Sequence, residues 1–286
     1  MGCFYREERG DWSDLAAMGI GDPRPAVPAG YAEANKEIVR LLTPDAGCAS
    51  APAPEGWPSS RVSLHWFNGD RMLSADITSV PGGTAASAGR FGSGNGAWTT
   101  GKLQFYLSWD PALGDAVARA LASALDPEFA KACVVDIANM TDAQFAALGL
   151  SDPKPPQGYR QEGTRQALTT APSAGCGSGA AGFITKWMYF SEAAGGLVEA
   201  AVFSGPRPPE YAYIPNIEYQ TLYWKDAKGR EYYVAGFKAD FSKQRADLLA
   251  LAKSMDPAFD EKNLLPVPSN PGEPVAKPAG TSRTGP

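Results

Sequence analysis

The chain repeats itself. Residues 16–23 read AAMGIGDP and residues 146–153 read AALGLSDP, 130 residues further on. Cys3 and Cys133 lie the same 130 residues apart, and the Ala-Gly-Cys triplets that end at Cys48 and Cys176 lie 128 apart. Self-similarity at one period points to a unit built twice, which limits the fold more than any single motif does. A length of 286 residues suits two units of ordinary domain size. The expectation is two tandem copies of an α+β domain, over residues 1–130 and 131–264, then a proline-rich, disordered tail over 265–286.

Local signals agree between the copies. Thr141-Asp142-Ala143-Gln144 has the form of a capping box, and Asp11–Asp14 holds the same place in the first copy. A short helix should follow each and stop at Gly19 or Gly149, ahead of Asp22-Pro23 or Asp152-Pro153. Strands are predicted over 61–67 and 183–190, with Trp66 aligned to Trp187, and over 72–80 and 197–204. Further strands fall over 103–109, 219–224 and 231–237, the last two joined by a turn at Gly229. Leu113, Val117, Leu121 and Leu125 mark a closing helix in one copy, as Leu248, Leu251, Ala252 and Met255 do in the other. Both helices stop at Asp-Pro and then an aromatic, Phe129 or Phe259. Each copy should therefore be an antiparallel sheet packed against a C-terminal helix, with a short N-terminal helix.

The cysteines bear on the compartment. Four cysteines allow three pairings, and the repeat selects Cys3–Cys48 and Cys133–Cys176, one staple per copy. Each would close a loop of about 45 residues, worth roughly 4 kcal/mol. Paired disulfides favour a periplasmic or secreted protein. Residues 1–12 are charged and lack the apolar core of a signal peptide, and no stretch approaches a membrane span. Met1-Gly2-Cys3 hints at lipidation or envelope anchoring, but Arg6 stands where the myristoylation pattern wants Ser or Thr. A net charge of −5 without basic runs argues against nucleic acid as partner.

Catalytic chemistry is hard to assemble from these residues. His65 is the one histidine, set in an alternating strand and aligned with Lys186, which suits a solvent-facing position better than a triad or metal site. The glycines of Gly89–Gly96 precede a strand rather than a helix, so they read as a hairpin loop and not a phosphate loop. Asp126 and Asp256 recur before proline at helix ends, a turn-forming role. No cofactor or metal site is expected. The copies diverge most between equivalent strands, at residues 81–97 and 205–218. Loops on a rigid scaffold carry binding, and Tyr and Arg dominate contact energies. Arg207, Tyr211 and Tyr213, with Arg90 and Trp98 in the first copy, are therefore the candidate ligand- or partner-binding residues.

The run Cys133…Met140-Thr141-Asp142-Ala143-Gln144-Phe145-Ala146-Ala147-Leu148-Gly149-Leu150…Cys176 resembles the opening of small secreted lipoproteins from high-GC bacteria. That resemblance implies an envelope protein of unassigned activity and transfers no functional residues. The leading expectation is a non-enzymatic, extracytoplasmic binding module whose partner is an unknown protein or small molecule. One rival is an immunity- or inhibitor-type protein that neutralises a secreted toxin or hydrolase. The other is an enzyme with a carboxylate or lysine site.

Overall fold

Alternation of apolar and polar side chains decides most of the strands. In Ser60–Asn68, Val62, Leu64 and Trp66 are buried while Arg61, Ser63, His65 and Phe67 point the other way. The computed structural model describes residues 7–41, 60–79, 89–177, 179–191, 195–208, 211, 213–217, 220–237 and 241–268. In chain order its strands are β1 (Glu7–Arg9), β2 (Ala32–Leu41), β3 (Ser60–Asn68), β4 (Arg71–Ser79), β5 (Gly89–Gly92), β6 (Asn95–Thr100) and β7 (Leu103–Trp109). They continue as β8 (Val134–Asn139), β9 (Arg160–Gln161), β10 (Gln166–Pro172), β11 (Gly182–Ser191), β12 (Gly196–Ser204), β13 (Thr221–Lys225) and β14 (Glu231–Gly236). The α-helices are α1 (Asp115–Leu125), α2 (Asp142–Ala147) and α3 (Phe241–Met255).

Among the described residues these strands form a large mixed sheet of fourteen, and 41 % of those residues are in strands against 24 % in helices. The expected tandem α+β domains, each an antiparallel sheet with its own closing helix, are therefore not what the chain builds. Two local causes are visible. Segments with weak patterning, β2, β8 and β10, become strands because they pair with strongly patterned neighbours or with one another. β8 also runs parallel to β5, with Gly89 opposite Val134 and Phe91 opposite Asp136, so the sheet is mixed. The short helix expected near Ala16 is replaced by two 3-10 turns, Trp12–Asp14 and Ala16–Met18, closed by Gly19 at φ +79°.

By compactness the chain divides into two units. The first holds 1–140, 168–183 and 205–208, and the second holds 141–167, 184–204 and 209–286. In the first, hydrogen bonds run β1-β2-β3-β4-β7-β6-β5-β8 and on to β10. Its core gathers Leu64, Trp66, Ile77, Phe91, Trp98, Phe105 and Trp109 with Ala118, Leu121, Ala122 and Leu125 of α1. Cys133 and Cys176 are disulfide-bonded beside it, across a separation of 43 residues. Cys3 and Cys48 lie outside the described residues, as do the tail beyond 268, residues 81–88 of the first divergent loop, and residues 209, 210, 212 and 218 of the second.

In the second unit the order is β11-β12-β14-β13, with β9 pairing β11. The turn expected at Gly229 forms: Gly229 takes φ +75°, and the Asp226 N–H donates to the Arg230 carbonyl at 3.0 Å. The capping box also forms at the start of α2, where Thr141 Oγ1 accepts the Gln144 N–H at 3.2 Å and Gln144 Oε1 accepts the Thr141 N–H at 2.8 Å.

One arrangement occurs in both units. Trp98 stacks on Phe105 at 5.1 Å, packs on Phe129 at 4.7 Å and donates to Asp126. Trp224 stacks on Tyr232 at 5.1 Å, packs on Phe259 at 4.7 Å and donates to Asp256. Each Asp-Pro-x-Phe run is thus the clasp of a buried tryptophan, and Asp126 and Asp256 also turn the chain by accepting the N–H groups of Glu128 and Ala258.

Candidate binding surface

Strand register settles which side chains share a face. Across the first unit, one row runs Glu37, Ser63, Asp76, Tyr106, Ala97, Arg90, taking one residue from each of six strands. The neighbouring row is Asn35, His65, Ser74, Ser108, Asn95. Phe67 and Met72 stand opposite each other at one end of this face. It is the side turned away from Val62, Leu64, Ala75, Phe105, Leu107 and Trp98.

This outer face mixes polar groups with exposed apolar ones. Ser63 Oγ donates to Asp76 Oδ1 at 2.6 Å, and Arg61 reaches Glu37 at 3.0 Å. Phe67, Met72 and Tyr106 are 39 %, 41 % and 44 % exposed. Scattered surface apolar residues are ordinary, but three large ones on one sheet face, set among hydrogen-bonding groups, are what a contact surface needs. Tyr106 lies about 13 Å along the strand direction from the Phe67–Met72 pair, given four residues of rise on β4.

The second unit treats its matching face differently. Tyr233 follows the residue that stacks on Trp224, as Tyr106 follows the residue that stacks on Trp98. Tyr106 is 44 % exposed and Tyr233 is 0 % exposed. Tyr233 packs with Ile184, Ala201, Phe203, Ile214, Tyr223 and Ala235, and Tyr211 and Val267 close over them. The segment before β13 is pinned there, with Thr221 Oγ1 donating to the Pro215 carbonyl at 2.6 Å. Polar residues beneath are paired: the Tyr233 hydroxyl donates to Glu199, Lys186 Nζ stands 3.2 Å from Glu199 Oε1, and the Tyr223 hydroxyl donates to Glu231 at 2.9 Å.

The five candidate residues from the sequence separate accordingly. Arg90 falls on the open face of the first unit. Trp98, eight residues on, is 2 % exposed in the core, where its indole is already bonded to Asp126; it has no surface to offer a ligand. Arg207 is half-buried in the first unit. In the second unit, the hydroxyl of Tyr211 accepts from Gln166 Nε2 at 3.2 Å and its ring packs on the covered core, while Tyr213 is 47 % exposed. The structure does not gather these five into one site.

Sequence reasoning missed Phe67, Met72 and Tyr106, although a signal was present. Trp66-Phe67 and Phe105-Tyr106 are adjacent aromatics on strands, and a strand sends neighbours to opposite faces. One of each pair must point away from the core. Among the described residues, no group of three or more His, Cys, Asp or Glu side chains is placed to hold a metal ion, and no helix is long and apolar enough to cross a membrane. No protein-family model, no curated protein and no solved structure matches this chain.

Proposed function

We propose that this chain is a non-enzymatic binding protein of an oxidising, extracytoplasmic compartment, and that it engages its partner with the outer face of the first unit's sheet. The observation that carries the reading is the contrast between Tyr106 and Tyr233. One of two similarly placed tyrosines is fully buried in a cluster that includes Ile214 and has Tyr211 packed against it, while the other remains 44 % exposed beside a polar row. Leaving Phe67, Met72 and Tyr106 in water forgoes burial worth about 1.5–3 kcal/mol for each fully covered side chain. A partner that covers them recovers it. The Cys133–Cys176 bond supports the compartment, since such bonds persist where thiols are not kept reduced.

A photo-reactive amino acid placed at position 67 or 106 tests the surface in living cells, with position 265 as an exposed control in the second unit. Discrete cross-linked products from 67 and 106, and none from 265, are expected. Equal labelling at all three positions, or none at 67 and 106, overturns the assignment.

A further inference from the structure

The first unit also carries an open, shallow hollow of about 540 Å³, lined by Asp11, Trp12, Leu15, Ile20, Asp22 and Arg24 among others. Its volume lies in the range of small-molecule sites. We propose that this hollow binds a neutral, polyhydroxylated ring, that is, a saccharide unit, independently of the sheet face.

Charge decides the ligand class. Lys36 Nζ stands 2.6 Å from Asp11 Oδ1, and Arg24 grips Asp22 through Nε at 2.9 Å and Nη2 at 2.7 Å. These partners hold both carboxyls below their ordinary range, so they stay ionised acceptors at neutral pH. Each ion pair is neutral as a unit. A charged ligand finds no countercharge without a partner in these two pairs, whereas hydroxyl groups can join without displacing either partner. A carboxylate has about four lone-pair sites and a guanidinium five N–H donors, so an Asp–Arg pair can accept from one hydroxyl and donate to its neighbour.

The lining also carries apolar side chains. Leu15 and Ile20 are 1 % and 2 % exposed at the base. The Trp12 indole stands beside them, with the Arg24 and Lys36 cations each 5.1 Å from its ring centre. Apolar wall and paired donors and acceptors together match a sugar, which has a C–H face and a hydroxyl edge.

The second unit ties its corresponding aspartate differently. Asp152, which occupies the position of Asp22 in the repeated octapeptide, is bonded to Arg165 at 2.9 Å, and Asp142 is bonded to the same guanidinium at 2.5 Å. That guanidinium lies 3.8 Å over the Phe145 ring, and the Arg165 side chain is only 16 % exposed. Arg165 is thus tied to two carboxylates, whereas Arg24 in the first unit is bonded to Asp22.

Titration calorimetry on the full chain tests this, with glucose, galactose, mannose and N-acetylglucosamine as probes, and with glucuronate and spermidine as charged comparisons. Saturable binding of at least one neutral sugar is expected, weakened tenfold or more by Trp12→Ala and by Asp22→Asn. Far-UV circular dichroism and the melting temperature establish that each variant is folded, and Asp152→Asn, in the second unit, should leave the affinity unchanged. No binding of any neutral sugar, preference for either charged probe, or binding that survives both first-unit variants overturns the proposal.

Discussion

The indole Nε1 of Trp98 donates to Asp126 Oδ2 at 2.7 Å, and the corresponding bond in the second unit, from Trp224 to Asp256, measures 3.1 Å. Asp126 is 3 % exposed and accepts also from Thr100 Oγ1 at 2.7 Å and from the Glu128 N–H at 2.9 Å. Asp126→Ala would orphan a buried indole and two further donors. A loss of about 3 kcal/mol is expected, because each buried group left unpaired costs about 1–3 kcal/mol. The less buried Asp256→Ala should lose about half as much. Urea unfolding, followed by tryptophan fluorescence, gives both numbers.

Acid should weaken the second unit through Asp226. Burial pushes its carboxyl up, but the Arg230 guanidinium at 2.6 Å and the backbone N–H groups of Lys228 and Arg230 outweigh that and hold it below its ordinary value of 3.8. A lowered folded value means the stabilisation is complete above 3.8 and disappears as the pH falls through the folded value. The urea midpoint should therefore fall as the pH drops below 3.8. Asp226→Asn should flatten that fall; an unchanged slope would remove Asp226 from the account.

Reduction should destabilise the first unit. Cys133 and Cys176 close a separation of 43 residues, for which the chain-entropy model gives roughly 4 kcal/mol. The fold around the bridge is independently tied: the Ser173 N–H donates to the Val134 carbonyl at 2.8 Å, and β8 and β10 stay paired. Cys133→Ser with Cys176→Ser should thus lower the melting temperature without changing the far-UV spectrum. In the native oxidised protein, a thiol reagent should label neither residue.

Gly92 should tolerate no side chain. It sits at φ +130°, and a Cβ there would lie 2.0 Å from the Ile137 carbonyl oxygen of β8. Gly92→Ala must push β5 and β8 apart where they run parallel. A loss of about 3 kcal/mol is expected. Hydrogen exchange should show early opening of Val134–Asn139, whereas Gly101→Ala, with no atom within 4 Å of the added Cβ, should open nothing there.

What was legible in the sequence follows from patterning. Val62, Leu64 and Trp66 in β3, and Phe105, Leu107 and Trp109 in β7, alternate strictly, and both strands form where expected. β2 reads AEANKEIVRL, whose burial rests on Ile38 and Val39, so nothing local distinguishes it from a loop. The parallel pairing of β5 with β8 depends on residues some 45 positions apart, and no periodicity within either segment records it. The site fared likewise. Arg90 and Trp98 were indistinguishable as candidates because their faces differ only through the register of a hairpin. Tyr106 adjoins Phe105, and which of the two aromatics faces outward is decided by how β7 pairs with its neighbours.

The bond between Cys133 and Cys176 belongs to the first unit, yet the ring it closes contains 141–167, which belongs to the second. A protease that nicks the chain once between those cysteines therefore releases nothing. Both fragments migrate together on a non-reducing gel and part only when reductant is added, so the ring tolerates a severed backbone that an open chain would not.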